Sequence, residues 1–212
     1  MAGAKNVTIH CPKCQAMGTF EVWTLIDVTQ HPELRQKVLD GSLFHFHCEH
    51  CNGDFIIPNP TLYHDKNHNF MLWLNNGKDG QIPEFSMTGN PAFDNYRCRT
   101  VETLDEMNEK IFIFEAGLND VVVEIIKHEL RSGSFDNPEQ GLILSNGEYY
   151  FHEQTNNGLT FEKIENGTAT QNYVVPTNLY NAFVRTVKAQ NTLDLPLKFY
   201  HIDNNWIKQH FK

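Results

Sequence analysis

The sequence has no apolar run approaching the roughly 18 residues that a membrane-spanning helix needs. Its first residues, Met1-Ala2-Gly3-Ala4-Lys5-Asn6, lack the apolar core of a secretory signal. A cytoplasmic location and no membrane association are therefore expected. Basic charge is scarce as well. The formal charge is −9, and a division at residue 75 leaves 5 Lys+Arg against 7 Asp+Glu before it and 12 against 19 after it. Nucleic-acid binders draw most of their affinity from cations on phosphates, so this balance argues against that class and favours a protein partner or self-association. No nucleophile, base and orienting group stand in a recognisable motif, so no catalytic residue is assigned. Cysteine is sparse, at five residues, but four of them fall in two close pairs. In a reducing compartment that pattern favours a metal over disulfides.

The pairs are Cys11-Pro12-Lys13-Cys14 and Cys48-Glu49-His50-Cys51. Two intervening residues let both sulfurs of a pair approach one ion at about 2.3 Å, and two such knuckles fill the four tetrahedral positions of a structural Zn²⁺ site. Cys11, Cys14, Cys48 and Cys51 are accordingly the expected metal ligands. The 33 residues from 15 to 47 that separate the pairs exceed the usual spacing. Loop closure scales logarithmically, however, so a doubled loop costs only about 0.6 kcal/mol. Against this stands roughly 10 to 16 kcal/mol of apparent zinc binding in small finger peptides. A redox dithiol needs one pair at a helix start, whereas both pairs here precede a glycine and an extended run. Four ordinary thiols remain the plain alternative. With four thiolates bound the ion has no open position for water, so the site is structural and not hydrolytic.

The surrounding pattern predicts an α+β fold. Val7 to Ile9 leads into the first pair, and a strand is expected over Thr19 to Val28, rich in branched and aromatic residues. Pro32 and Gly41 bracket a short helix with Leu34 and Val38 on one face. Leu43 to His47 alternates into the second pair, and Asp54 to Ile57 follows as a strand. Zinc-ribbon-like hairpins with an inserted helix result. Phe70-Met71-Leu72-Trp73-Leu74 suits a strand buried on both faces, and a Gly/Pro/Asn-rich connection to about residue 95 follows it. Thr103-Leu104-Asp105-Glu106 matches a capping box ahead of Met107, Ile111 and Phe114, Gly117 ends that helix, and Asp120 is expected to cap the next. This second helix carries Val121, Val122, Ile125, Ile126 and Leu130 as its apolar stripe.

Beyond residue 132, Asn146-Gly147, Asn157-Gly158 and Asn166-Gly167 predict the turns of a β-meander of about four strands. A helix over 177–189 burying Leu179, Tyr180, Phe183, Val184 and Val187 should follow, then an aromatic tail with Trp206 and Phe211. The expected domains are thus 1–132, a zinc-ribbon domain with a helical extension, and 133–212, the meander and helix.

Seven of the eleven histidines fall between residues 10 and 68. Strand alternation sets His45 and His47 opposite the face of Phe44, Phe46 and Cys48, and His10 and His50 read as solvated or supporting groups. His64, Asp65 and His68 form a possible second metal or catalytic cluster, with a loop of polar residues as the plainer reading. Cys98, between Arg97 and Arg99, is either a reactive thiol or a small buried hydrophobe. A nucleic-acid-binding ribbon would use Lys13, Arg35, Lys37, Arg97 and Arg99 on phosphates, and an enzyme would place a site between the two halves.

Taken together, Cys11-Pro12-Lys13-Cys14, Pro32-Glu33-Leu34, Leu39-Asp40-Gly41-Ser42-Leu43-Phe44, Leu62-Tyr63-His64-Asp65, Phe70-Met71-Leu72-Trp73 and the stretch from Ile111 to Asp120 resemble the CpXC domain family over roughly residues 9 to 131. The second motif departs from the family's Cys-Pro-x-Cys pattern, with Glu49 in place of proline, which removes a fixed φ and keeps both sulfurs. The resemblance implies a bacterial or archaeal protein with a zinc-ribbon-like fold and no assigned catalytic residue. It names no biological process.

Overall fold

The computed structural model describes residues 3–77, 90–135, 147–189 and 195–211. The chain is α+β, with five α-helices and several small sheets among the described residues. It packs as two compact units, one of residues 1–108 with 197–200 and one of residues 109–196 with 201–212. The division falls inside the helix of residues 104–115, whereas the sequence pattern suggests a boundary near 132.

The first unit opens with a hairpin of β1 (Ala4–His10) and β2 (Met17–Trp23), which pair antiparallel and with no other strand among the described residues. The single run expected from Thr19 to Val28 is interrupted at Thr24, after which β3 (Leu25–Asp27) joins a different sheet. That sheet has the order β3-β6-β7-β8, with β6 (Thr61–Asp65), β7 (Phe70–Leu74) and β8 (Arg97–Val101). β3 runs parallel to β6, β6 antiparallel to β7, and β7 parallel to β8.

Every residue of β7 is buried, as its uninterrupted apolar composition requires for a strand covered on both faces. Parallel pairing of β3 and β6 needs a crossover, and the chain builds it from α1 (Glu33–Leu39) and a second hairpin, β4 (His45–Cys48) with β5 (Gly53–Ile56). In α1, Pro32 stands at the amino-terminal cap, Leu34 and Val38 are buried, and Gly41 follows with φ of 74°. The sequence signals for this helix thus act as their chemistry dictates.

Helix α2 (Leu104–Glu115) starts with the Glu106 amide donating to Thr103 Oγ1 at 3.1 Å, and Glu106 reaches back to the Glu102 amide at 2.8 Å. The capping box is present with its return bond shifted by one residue. Gly117, at φ of 69°, ends it. In the second unit α3 (Asp120–Ser132) buries Val121, Val122, Ile125, Ile126 and Leu130 as expected, and Val123, Glu124 and Lys127 with them. Its cap is Asn119, whose side chain accepts from the Val121 and Val122 amides; Asp120 is instead buried against Lys110 Nζ at 3.1 Å. Adjacent Asn and Asp compete for the cap, and the buried ammonium claims the acid.

The meander shows three described strands, β9 (Glu148–Thr155), β10 (Gly158–Glu165) and β11 (Thr168–Val175), in the order β11-β10-β9. The Asn146 turn position and any strand before it lie outside the described residues. Asn166 and Gly167 both have positive φ and form the two-residue turn of the primed class. The preceding turn differs from expectation. Thr155 pairs with Gly158, so Gly158 is the first residue of β10 and the loop is Asn156-Asn157. Glycine is needed there because a Cβ would lie 2.2 Å from the Val175 carbonyl oxygen. Helix α4 (Thr177–Ala189) buries Tyr180 and Val187, while Leu179, Phe183 and Val184 are half-buried. In α5 (Asn204–His210), Trp206 stacks on His210 with ring centroids 4.1 Å apart.

Candidate metal centre

The two cysteine pairs occupy equivalent places: each forms the tip of a hairpin. Cys11 and Cys14 lie in the turn from β1 to β2, and Cys48 and Cys51 in the turn from β4 to β5. Each knuckle closes with a residue in the left-handed region after its second cysteine, Gln15 at φ of 61° and Asn52 at φ of 52°. In the first, the Cys11 amide donates to the Ala16 carbonyl at 2.9 Å and the Gln15 amide to the Cys11 carbonyl at 3.0 Å. His10 Nδ1 lies 3.1 Å from the Gln15 carbonyl oxygen, which engages the ring on the outside of this turn.

The glycines after the knuckles serve close packing. A Cβ on Gly18 would sit 2.8 Å from the Phe46 ring, and one on Gly53 3.0 Å from the Phe55 ring and 3.3 Å from Cys51 Sγ. Phe20, Phe46, Cys11 and Cys48 form the buried cluster beneath the tips. Phe20 meets Phe46 edge-on at 6.2 Å between centroids, and Phe46 stacks on Phe55 at 6.5 Å.

All four sulfurs lie within 4.8 Å of one another, and Cys11–Cys51 and Cys14–Cys48 are each 3.7 Å apart. Tetrahedral ligation at about 2.3 Å places neighbouring sulfurs about 3.8 Å apart. The quartet could therefore hold a metal ion without rearrangement, and among the described residues it is the group of His, Cys, Asp and Glu side chains that could.

Without a cation such close thiols cannot ionise independently. Burial opposes ionisation of Cys11, yet the Cys14 and Lys13 amides and the neighbouring thiols outweigh it and bring the group down to about 6. At Cys51 burial, reinforced by the other three thiols, pushes the group up to about 12. The Ala16 amide favours the thiolate of Cys14, but burial and the sulfurs of Cys11 and Cys48 prevail and raise it. One easily formed thiolate at Cys11, beside the reluctant Cys14 and Cys51, is a state that a divalent cation would shift toward the thiolates.

The remaining histidines stay outside the quartet. His45 and His47 are exposed on the face opposite Phe46 and Cys48, and both place a ring nitrogen 2.9 Å from Asp54 Oδ1. His50 is exposed. The group of His64, Asp65 and His68 sits at a strand end and turn and does not converge on one point. His64 Nε2 meets the Tyr96 hydroxyl at 3.1 Å, whereas His68 Nδ1 pairs with Asp65 Oδ2 at 2.7 Å. Asp65 Oδ1 also accepts the Asn67 amide at 2.8 Å, so it fixes the β6–β7 turn. Cys98 is 1% exposed among Leu62, Met71 and Trp73, and burial drives its thiol up to about 11, which makes it a small buried hydrophobe. Among the cations considered for phosphate contact, Arg99 is buried and donates to the Cys98 carbonyl, and Arg97 donates to the His68 carbonyl. Lys13 and Lys37 are exposed and Arg35 is half-buried.

The CpXC protein family model matches residues 9–127, more than half of the chain and including both knuckles. The protein belongs to the CpXC family. No curated protein and no solved structure gives a match. The CpXC match covers the whole first hairpin tip, the crossover, the β3-β6-β7-β8 sheet, α2 and part of α3. Among the described residues no helix is long and apolar enough to cross a membrane.

Sequence reasoning did not find the second polar feature of this CpXC chain, a buried ion-pair network in the second unit. Lys127 Nζ lies 2.7 Å from Glu109 Oε2 and 3.0 Å from Glu124 Oε2, and Glu124 also pairs with Arg131 at 3.1 Å. Glu109 Oε1 accepts the Phe151 amide at 2.6 Å, which ties α2 to β9. The signal in the sequence was Glu124, a charge set between Val123 and Ile125 in the apolar stretch of α3.

Proposed function

We propose that this CpXC protein is a cytoplasmic prokaryotic zinc protein. Its Cys11, Cys14, Cys48 and Cys51 hold one structural Zn²⁺, which organises a protein-interaction domain. The observation that carries the reading is the convergence of four sulfurs from two hairpin tips at the spacing tetrahedral ligation requires. A closed thiolate set leaves the ion no position for substrate, so its contribution is to folding. The chain's −9 charge supports a protein partner over nucleic acid. The need for four reduced thiols supports a reducing compartment.

Zinc and iron both accept four thiolates, and their spectra separate them. Purified protein from medium supplied with both metals should contain one zinc per chain and show no visible thiolate-to-iron absorption. A strongly coloured iron form at full occupancy would overturn the metal assignment, and preparations with no metal would overturn the site.

A further inference from the structure

A cleft of about 560 Å³ opens beside the metal centre, lined by Ala16–Thr19 on one side and Phe46–His50 on the other. The lining consists of consecutive residues of β2 and β4 with the turns they adjoin, and includes none from β1 or β5. Consecutive residues of a strand point to opposite faces, so a cleft that touches them all runs along the strand's edge and not over a face. Among the described residues β2 pairs only with β1 and β4 only with β5. The cleft is thus flanked by two strand edges whose outward amides and carbonyls have no ladder partner.

We propose that this cleft takes an extended peptide segment of a partner protein, bonded through its backbone to the edges of β2 and β4, with a Lys or Arg set opposite Glu49. The proposal rests on the interaction-domain reading above and specifies its ligand. Four observations support this occupant. An extended residue fills a cell of about 3.3 by 4.8 by 10 Å, so the cleft volume corresponds to three or four residues, a single strand and not a hairpin. The lining runs of four and five residues match that length. Met17 at the rim is 74% exposed, more than any other large apolar side chain among the described residues, and a flexible thioether is suited to a variable apolar partner residue. Glu49 is the one formally charged residue of the lining, on a chain of net charge −9, which selects a basic segment over an acidic one. A second copy of this acidic chain is the poorer electrostatic match.

The test uses the full-length, metal-loaded protein and an immobilised library of acetylated hexapeptides alternating Val and Thr, with Lys, Glu or Ser at one central position. Lys-containing peptides should be enriched. Amide shifts on adding the best of them should fall at residues 16–19 and 46–50, and N-methylation of alternate peptide amides should weaken binding by about tenfold or more. Glu49→Lys should abolish the preference for Lys while zinc content stays unchanged. Absence of enrichment, indifference to N-methylation, shifts located elsewhere, or dimerisation of the chain through these same residues would each overturn the proposal. Zinc measured on the same samples separates the two readings. One equivalent of zinc without peptide binding sinks the cleft assignment alone, and a protein without zinc sinks the metal reading first.

Discussion

Replacing Cys48 by serine tests the metal with little change in side-chain shape. Cys48 is 4% exposed, and serine matches its shape closely while removing a soft anionic donor. Apart from the two ligand cysteines, the buried hydrophobic side chains of the hairpin core are Phe20 and Phe46. At about 1.5–3 kcal/mol for each ring, they supply roughly 3–6 kcal/mol together. Zinc in small finger domains contributes roughly 10–16 kcal/mol of apparent binding free energy. A zinc ion bound there would therefore stabilise the hairpins more than these two rings do, and its loss should unfold them and not merely loosen them. The buried strand β7 and its neighbour β6 hold their own core, so unfolding should stop short of them. A colorimetric metal assay should show loss of nearly all the zinc. Hydrogen exchange should show protection lost over Ala4–Trp23 and His45–Ile56 and kept over Thr61–Asp65 and Phe70–Leu74. A Cys48→Ser protein that keeps one zinc and full protection in both hairpins would refute the reasoning, as would a wild-type melting curve indifferent to a strong chelator.

Lys127→Met removes the cation shared by Glu109 and Glu124, both almost wholly buried. Urea unfolding should show a loss of roughly 3–5 kcal/mol, the usual cost of stranding a buried charge, with part recovered by adding Glu109→Gln; a loss under about 1 kcal/mol would mean that water reaches the network. At Asp27 burial raises the carboxyl, but hydrogen bonds from Lys66 at 2.9 Å and from Gln30 prevail and hold it below the usual range. A depressed carboxyl contributes stability that is complete above its unfolded value of about 3.9 and is lost as pH falls through the folded one. Lys66 is 46% exposed, so Lys66→Ala should cost under about 1 kcal/mol at pH 6, with the gap closing in acid. A carboxyl ¹³C titration should place the Asp27 midpoint below an ordinary aspartate and move it up in Lys66→Ala; an unmoved midpoint rules out the pairing.

What was legible in the sequence is what local chemistry decides. Four cysteines in two matched pairs leave one economical arrangement, and the structure brings their sulfurs together. Pro32 and Gly41 bound α1, and the unbroken apolar run makes β7 a doubly covered strand. Features that depend on distant partners were hidden. Asp120 looks like a helix cap until Lys110 is seen to be buried beside it. Glu109 in α2 and Lys127 in α3 pair across 18 positions, a separation that no spacing rule links. Gly18 reads as the opening of a strand and Gly158 as a turn residue, yet the first makes room for the Phe46 ring and the second for the Val175 carbonyl.

Chain order would give a metal bound at the quartet more to do here than in an isolated ribbon. The second hairpin lies inside the crossover that joins the parallel strands β3 and β6, with α1 preceding it. A parallel pair gains its ladder bonds only after the intervening residues are ordered, so the crossover carries the entropy cost of the sheet. Its own buried apolar anchors include Leu34, Val38, Leu43, Phe44 and Phe46. A metal held by all four cysteines would join its tip to the β1–β2 hairpin and so tether the crossover there. The 33-residue interval between the pairs, residues 15–47, is longer than a simple ribbon requires because it contains β2, β3 and α1. Metal loss should on this account weaken the edge strand β3 before β7, because among the described residues β3 pairs only with β6 and its register there spans three residues.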